Sequence, residues 1–241
     1  MSDYELQLKQ AISHLYKTFE SYHLNPPIAG CPCCVGEYEQ KLIRSKILNQ
    51  LTVEDLNHYV YHAVILWGTI EDFKHFLPRL LELTAFEYES FWSDIVIIKI
   101  AETEFNNWKE EEREVVNQYL LALWNYILSQ PPRLNFSAKD FINSLSNINN
   151  ELKLFLTMWS IHHSPNSLLH LSDFIGHRIN LNKLPIKINY FSQKDTKEFL
   201  EWVLKEEVIA RLEQYFFNNI DEPYIKEIAD TIDILNYLLT K

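Results

Sequence analysis

Glycine is nearly missing from this chain, with four in 241 residues against a usual share of about 7%. Tight hairpin turns draw on glycine for positive φ, so a many-stranded sheet is disfavoured and long helices on short connections are expected. Long apolar runs are scarce too. A run such as Ile95–Ile98 falls far short of the ~20 residues that span a bilayer. The opening Met-Ser-Asp-Tyr-Glu has none of the apolar character of a secretory signal. An excess of positive charge is also lacking, since 33 acids face 22 bases for a net charge of −11. Without a basic stripe there is nothing to release counterions from a phosphate backbone, so nucleic acid is disfavoured as a partner, and so are anionic membrane surfaces. The first 120 residues hold 19 acids against 10 bases and the remainder 14 against 12, which suits a basic protein partner of the N-terminal half. Cysteine is limited to three residues. An odd number leaves one thiol over from any disulfide framework, so the expectation is a cytoplasmic protein with reduced thiols.

What is present is 47% hydrophobic and 23% charged residues, with 14% aromatics, a globular balance. Apolar residues recur at helical spacing along most of the chain. Helices are expected at 3–23, 37–48, 88–103, 109–129, 138–147, 150–163, 166–178, 195–218 (with a break) and 223–240, and Pro223 suits a first helical position. In the second of these, Leu42, Ile43, Ile47 and Leu48 form the expected buried side. The stretch 181–193, with Pro185 and alternating Ile186, Ile188 and Tyr190, reads as an extended loop or one short strand. The Pro131-Pro132 break is the best internal boundary. The chain is therefore read as one all-helical domain, 1–241, with any subdivision near 129–136, in an irregular α-α superhelix or an orthogonal bundle.

A local repeat stands between. Thr52-Val-Glu-Asp-Leu-Asn-His-Tyr-Val recurs as Thr69-Ile-Glu-Asp-Phe-Lys-His-Phe-Leu. Each Thr can cap a helix, and the acids suit the positive end of its dipole. Two helix starts imply an αα-hairpin turning at Trp67-Gly68, with Leu56, Tyr59, Val60, Ala63 and Trp67 facing Phe73, Phe76, Leu77, Leu80 and Leu81. Pro78 should kink or split the second helix.

All three cysteines lie in one stretch, residues 25–36, Asn-Pro-Pro-Ile-Ala-Gly-Cys-Pro-Cys-Cys-Val-Gly, with three of the nine prolines and two of the four glycines. Such a segment cannot continue a helix. Cys31 and Cys34 have C-x-x-C spacing, which lets two thiolates meet one tetrahedral ion from a tight turn. A zinc site would use Cys31, Cys33 and Cys34 with a histidine; His23, His58, His62 and His75 are the nearby candidates, and His62 and His75 lie nearly equidistant from the Trp67-Gly68 turn. The alternatives are a reactive thiol at Cys34, ahead of a short helix, and three reduced cysteines packed in an ordered loop with no cofactor. Asp55-x-x-His58 and Asp72-x-x-His75 evoke a di-metal pair, but the acids read better as capping residues. His170, Asp173 and His177 share one helical face, as a metal site, a proton relay or plain surface.

The Gly-Cys-Pro-Cys-Cys loop followed by Trp67-Gly-Thr-Ile-Glu-Asp-Phe-Lys-His-Phe-Leu-Pro-Arg-Leu-Leu-Glu-Leu83 resembles a functionally uncharacterised group of bacterial all-helical proteins, over roughly residues 24–90. The resemblance carries no activity with it. It implies that the cysteine loop and the hairpin form one unit. Three readings follow: a cytoplasmic helical interaction module (scaffold, adaptor or inhibitor-like), the same fold with a structural zinc, and a thiol- or metal-dependent enzyme.

Overall fold

The computed structural model describes residues 2–24, 27–31, 33–87, 92–132, 137–145, 148, 152–179, 186–188 and 191–240. The fold is all-α. The chain gathers into two compact units, residues 1–123 and 124–241.

The first unit opens with α1 (Asp3–Thr18), capped by the Ser2 hydroxyl, which accepts the Glu5 N–H. This helix ends short of residue 23. Beyond it the chain turns so that the Tyr22 hydroxyl donates to Glu112 while the Tyr22 carbonyl accepts from His75. A six-residue α2 (Glu37–Leu42) follows the cysteine loop. It is shorter than the expected 37–48, and Ile47, expected inside, is 63% exposed while Ile43 is buried.

The hairpin is α3 (Val53–His62) and α4 (Ile70–Phe86). Both begin with the same reciprocal cap: the Thr52 and Thr69 hydroxyls accept the N–H of Asp55 and Asp72, whose carboxylates accept the Thr N–H in return. That is the physical content of the sequence repeat. All ten apolar side chains expected between the two helices are buried. Helix α4 runs on through Pro78 without splitting. The missing N–H deprives the helix of one bond to the Lys74 carbonyl, and the burial of Phe76, Leu77, Leu80 and Leu81 on either side outweighs that loss.

Helix α5 (Trp92–Glu102) and the 20-residue α6 (Glu110–Ser129) follow. Residues 88–91 of the expected helix 88–103 lie outside the described residues. Helix α6 ends at Ser129 just before the Pro-Pro pair, and the division between the two units falls within it.

The second unit holds α7 (Ala138–Leu145), α8 (Leu152–Ile161), α9 (Asn166–Arg178), α10 (Gln193–Val203), α11 (Glu206–Asn218) and α12 (Ile225–Leu239). The expected break in 195–218 falls between Val203 and Glu206, and Pro223 precedes α12 by two residues. Of the expected helices 138–147 and 150–163, positions 146–147 and 150–151 lie outside the described residues, as do Pro185 and Tyr190 of the extended stretch. Ile188 forms an isolated antiparallel bridge with Ile179. The core is aromatic, with Trp159 ring centroids 5.1 Å from Trp124 and 5.3 Å from Trp202, and Phe174 lying 4.6 Å from Phe199. Its buried indole N–H groups are satisfied: Trp124 donates to the Phe155 carbonyl at 3.0 Å and Trp159 to the Ser167 carbonyl at 2.8 Å. Arg211 caps the far end of α8 by donating to the carbonyls of Trp159, Ser160 and His162, where a cation meets the negative end of the dipole. Among the described residues no helix is long and apolar enough to cross a membrane.

Candidate metal centre

The cysteine loop is seated on the turn that joins α3 to α4. Cys31 N–H donates to the Leu66 carbonyl at 2.8 Å, and Gly68 N–H donates to the Ala29 carbonyl at 2.6 Å. Two of the scarce glycines sit at this meeting point. A Cβ on Gly30 would come within 3.1 Å of Val35 and 3.3 Å of Trp67, and Gly68 has φ +83°, a conformation only glycine adopts freely. The turn itself holds Val64 at φ +71°, an outlier for a β-branched residue.

Within the loop, the N–H groups of Cys34 and Val35 both donate to the Cys31 carbonyl at 2.9 Å. These bonds draw Cys34 and Val35 back onto Cys31, and the sulfurs lie together. Cys31 Sγ and Cys33 Sγ are 2.7 Å apart, and Cys33 Sγ and Cys34 Sγ 3.5 Å. All three lie within 4.8 Å of one another, and among the described residues they are the only such group of potential metal ligands. A tetrahedral zinc with Zn–S bonds of about 2.3 Å spaces its sulfurs by about 3.8 Å, within the 4.8 Å limit that encloses these three. The cluster can hold a metal ion. Cys33 is exposed, and Cys31 and Cys34 are half-exposed. The hydrogen bond from Cys33 holds the Cys31 thiol below its ordinary value, and the same bond, with that to Cys34, pushes Cys33 up to about 11.

The histidines are placed differently. His58 Nε2 lies 2.7 Å from the Cys34 carbonyl. A carbonyl only accepts, so this nitrogen carries the proton and clamps the loop to α3. His62 stacks on His58 with ring centroids 4.3 Å apart, and its Nδ1–H donates to the His58 carbonyl at 2.8 Å. His75 Nδ1–H donates to the Tyr22 carbonyl at 2.7 Å, its ring packs on Phe76, and burial holds it below the ordinary histidine value. The structure therefore brings Cys31, Cys33 and Cys34 together, and neither His62 nor His75 joins the set. Of the histidines near the loop in sequence, His58 is one whose ring reaches it, through the Cys34 carbonyl.

The second histidine constellation centres on His170. His170 is buried, with Nε2–H donating to the Ile127 and Gln130 carbonyls at 2.9 and 3.0 Å and Nδ1 accepting the Ala138 N–H at 3.3 Å. Both nitrogens are used. Asp173 pairs with Lys139 at 3.0 Å and His177 at 3.1 Å. No family model matches this chain, and neither the curated proteins nor the solved structures contain one significantly similar to it.

Proposed function

We propose that this protein is a cytoplasmic helical module that binds one zinc ion through the thiolates of Cys31, Cys33 and Cys34. The observation that carries this reading is the convergence of three sulfurs, from four consecutive positions, on a solvent-facing turn. A sulfur-only donor set favours soft or borderline ions, and zinc, with no redox chemistry and no geometric demand from d electrons, suits thiolates kept in a reducing compartment. The test is elemental analysis of protein purified without a metal-affinity tag, beside a Cys31→Ser/Cys34→Ser variant checked for its helical circular dichroism. One zinc per chain, lost in a folded variant, is the expected result. Metal-free protein in both forms, or zinc retained by the variant, would refute the cysteine site.

A second reading, a protein-interaction module, is favoured by a different observation. Tyr38, Ile47, Tyr61, Ile65 and Leu66 are large apolar side chains left exposed on the elements next to the cysteine loop. With the acidic balance of this half, they suit a partner combining apolar and basic groups, captured at low salt and released as salt rises.

A further inference from the structure

We infer that the thiolate site is an exchange site: the zinc bound by Cys31, Cys33 and Cys34 takes its fourth ligand from outside the chain, as a thiolate, and the ion is handed on by ligand exchange. The inference rests on the zinc reading above and adds what the ion does there. Ligands drawn from four consecutive residues occupy one side of an ion, so the opposite side faces away from the turn. Cys33 is exposed and its two neighbours are half-exposed, so that open side looks into water. A fourth protein ligand is what closes a structural zinc site, and among the described residues no imidazole nitrogen gathers with the three sulfurs within 4.8 Å. The loop's other residues, 25–30, Pro32, Val35 and Gly36, bring no sulfur, imidazole or carboxylate.

The loop is also held by contacts that do not use its sulfurs, Cys31 N–H on Leu66, Gly68 N–H on Ala29 and His58 on the Cys34 carbonyl, so releasing the ion need not undo the fold. A three-thiolate zinc is a soft centre and prefers a further thiolate to an oxygen ligand. In the exchange, an incoming thiol loses its proton to solvent and its sulfur forms the fourth bond. One chain thiolate then leaves the ion and takes up a proton. Repeating the step moves the ion to the acceptor with no change of oxidation state.

The test uses the full-length protein, loaded with zinc for kinetics and with cobalt(II) for spectroscopy. Zinc transfer is timed against rising concentrations of two acceptors, a small monothiol such as glutathione and a peptide with a Cys-x-x-Cys pair, which separate a low-molecular-weight source of the fourth ligand from a protein one. The expected result is a transfer rate that rises in proportion to acceptor concentration, with cobalt d–d bands that move when thiol is added. A rate independent of acceptor with unmoved bands means an enclosed ion and overturns the inference while leaving the zinc reading in place. Altered cobalt bands in His62→Gln would overturn it too, by showing a histidine in the fourth position. Failure to bind either metal at one per chain would instead strike the zinc reading itself.

Discussion

Lys74 and Glu112 are almost wholly withdrawn from water and meet at 2.6 Å. The Lys74 ammonium also lies 4.4 Å from the Trp108 ring centroid, and the second Glu112 oxygen accepts the Tyr22 hydroxyl. Burial by itself raises the Glu112 pKa, but the bonds from Lys74 and Tyr22 outweigh it and hold the carboxylate below its usual value. Breaking one side of such a pair strands a buried charge, so Lys74→Met is expected to cost about 3–5 kcal/mol in urea unfolding. The double variant Lys74→Met/Glu112→Leu should recover most of that loss. Equal instability of the single and double variants would show that the pairing is not what matters. None of this cluster is legible in the sequence. The two residues stand 38 positions apart, and a lysine on the expected polar edge of α4 reads as solvated until the turn after α1 delivers Tyr22 beside it.

At the scale of elements, sequence reading succeeds where a local interaction sets the boundary. The two Thr-x-x-Asp starts became reciprocal caps because both partners lie within one helical turn. It fails where a distant contact decides. The end of α1 is drawn in by Glu112 and His75, and Ile47 is left out because α2 stops at Leu42. The convergence of the cysteines was legible from their spacing, but the way they are held was not, since their anchors Leu66 and His58 are supplied by α3 and its turn. That turn stores strain at Val64, whose left-handed backbone costs an L-residue about 1–2 kcal/mol. Val64→Asn, a residue that tolerates this conformation, should raise the stability of the first unit by about 1 kcal/mol. An unchanged or lower unfolding midpoint would show that packing of the valine side chain offsets its backbone cost.

For the whole molecule, the all-α class followed from little more than the scarcity of glycine and the periodicity of the apolar residues. The division near residue 123 had no compositional mark, because it lies inside a helix whose pattern is unbroken. The pH response should be one-sided. Burial lowers the pKa of His170 to about 4, and burial also lowers His162 and His75. A histidine with a folded pKa below its unfolded value adds stability that is complete above about pH 6.5 and lost as pH falls toward the folded value. His170 should therefore remove about 2 kcal/mol between pH 7 and pH 5. Glu112 and Asp55, both held below their usual values against the cost of burial, act in the same direction at lower pH. Denaturant titrations at stepped pH check this, and His170→Gln should flatten the slope between pH 6.5 and 4.5. A slope unaltered by that change would contradict the assignment.

The backbone tethers of the cysteine loop bear on how the protein is made. Small zinc modules commonly fold only as the metal arrives, so that binding energy is spent on ordering the chain. Here Cys31 N–H, the Ala29 carbonyl and the Cys34 carbonyl are already engaged by Leu66, Gly68 and His58. On the zinc reading proposed above, a newly synthesised chain would complete its structure in a metal-starved cell, and maturation would be a separate, later event governed by supply of the ion.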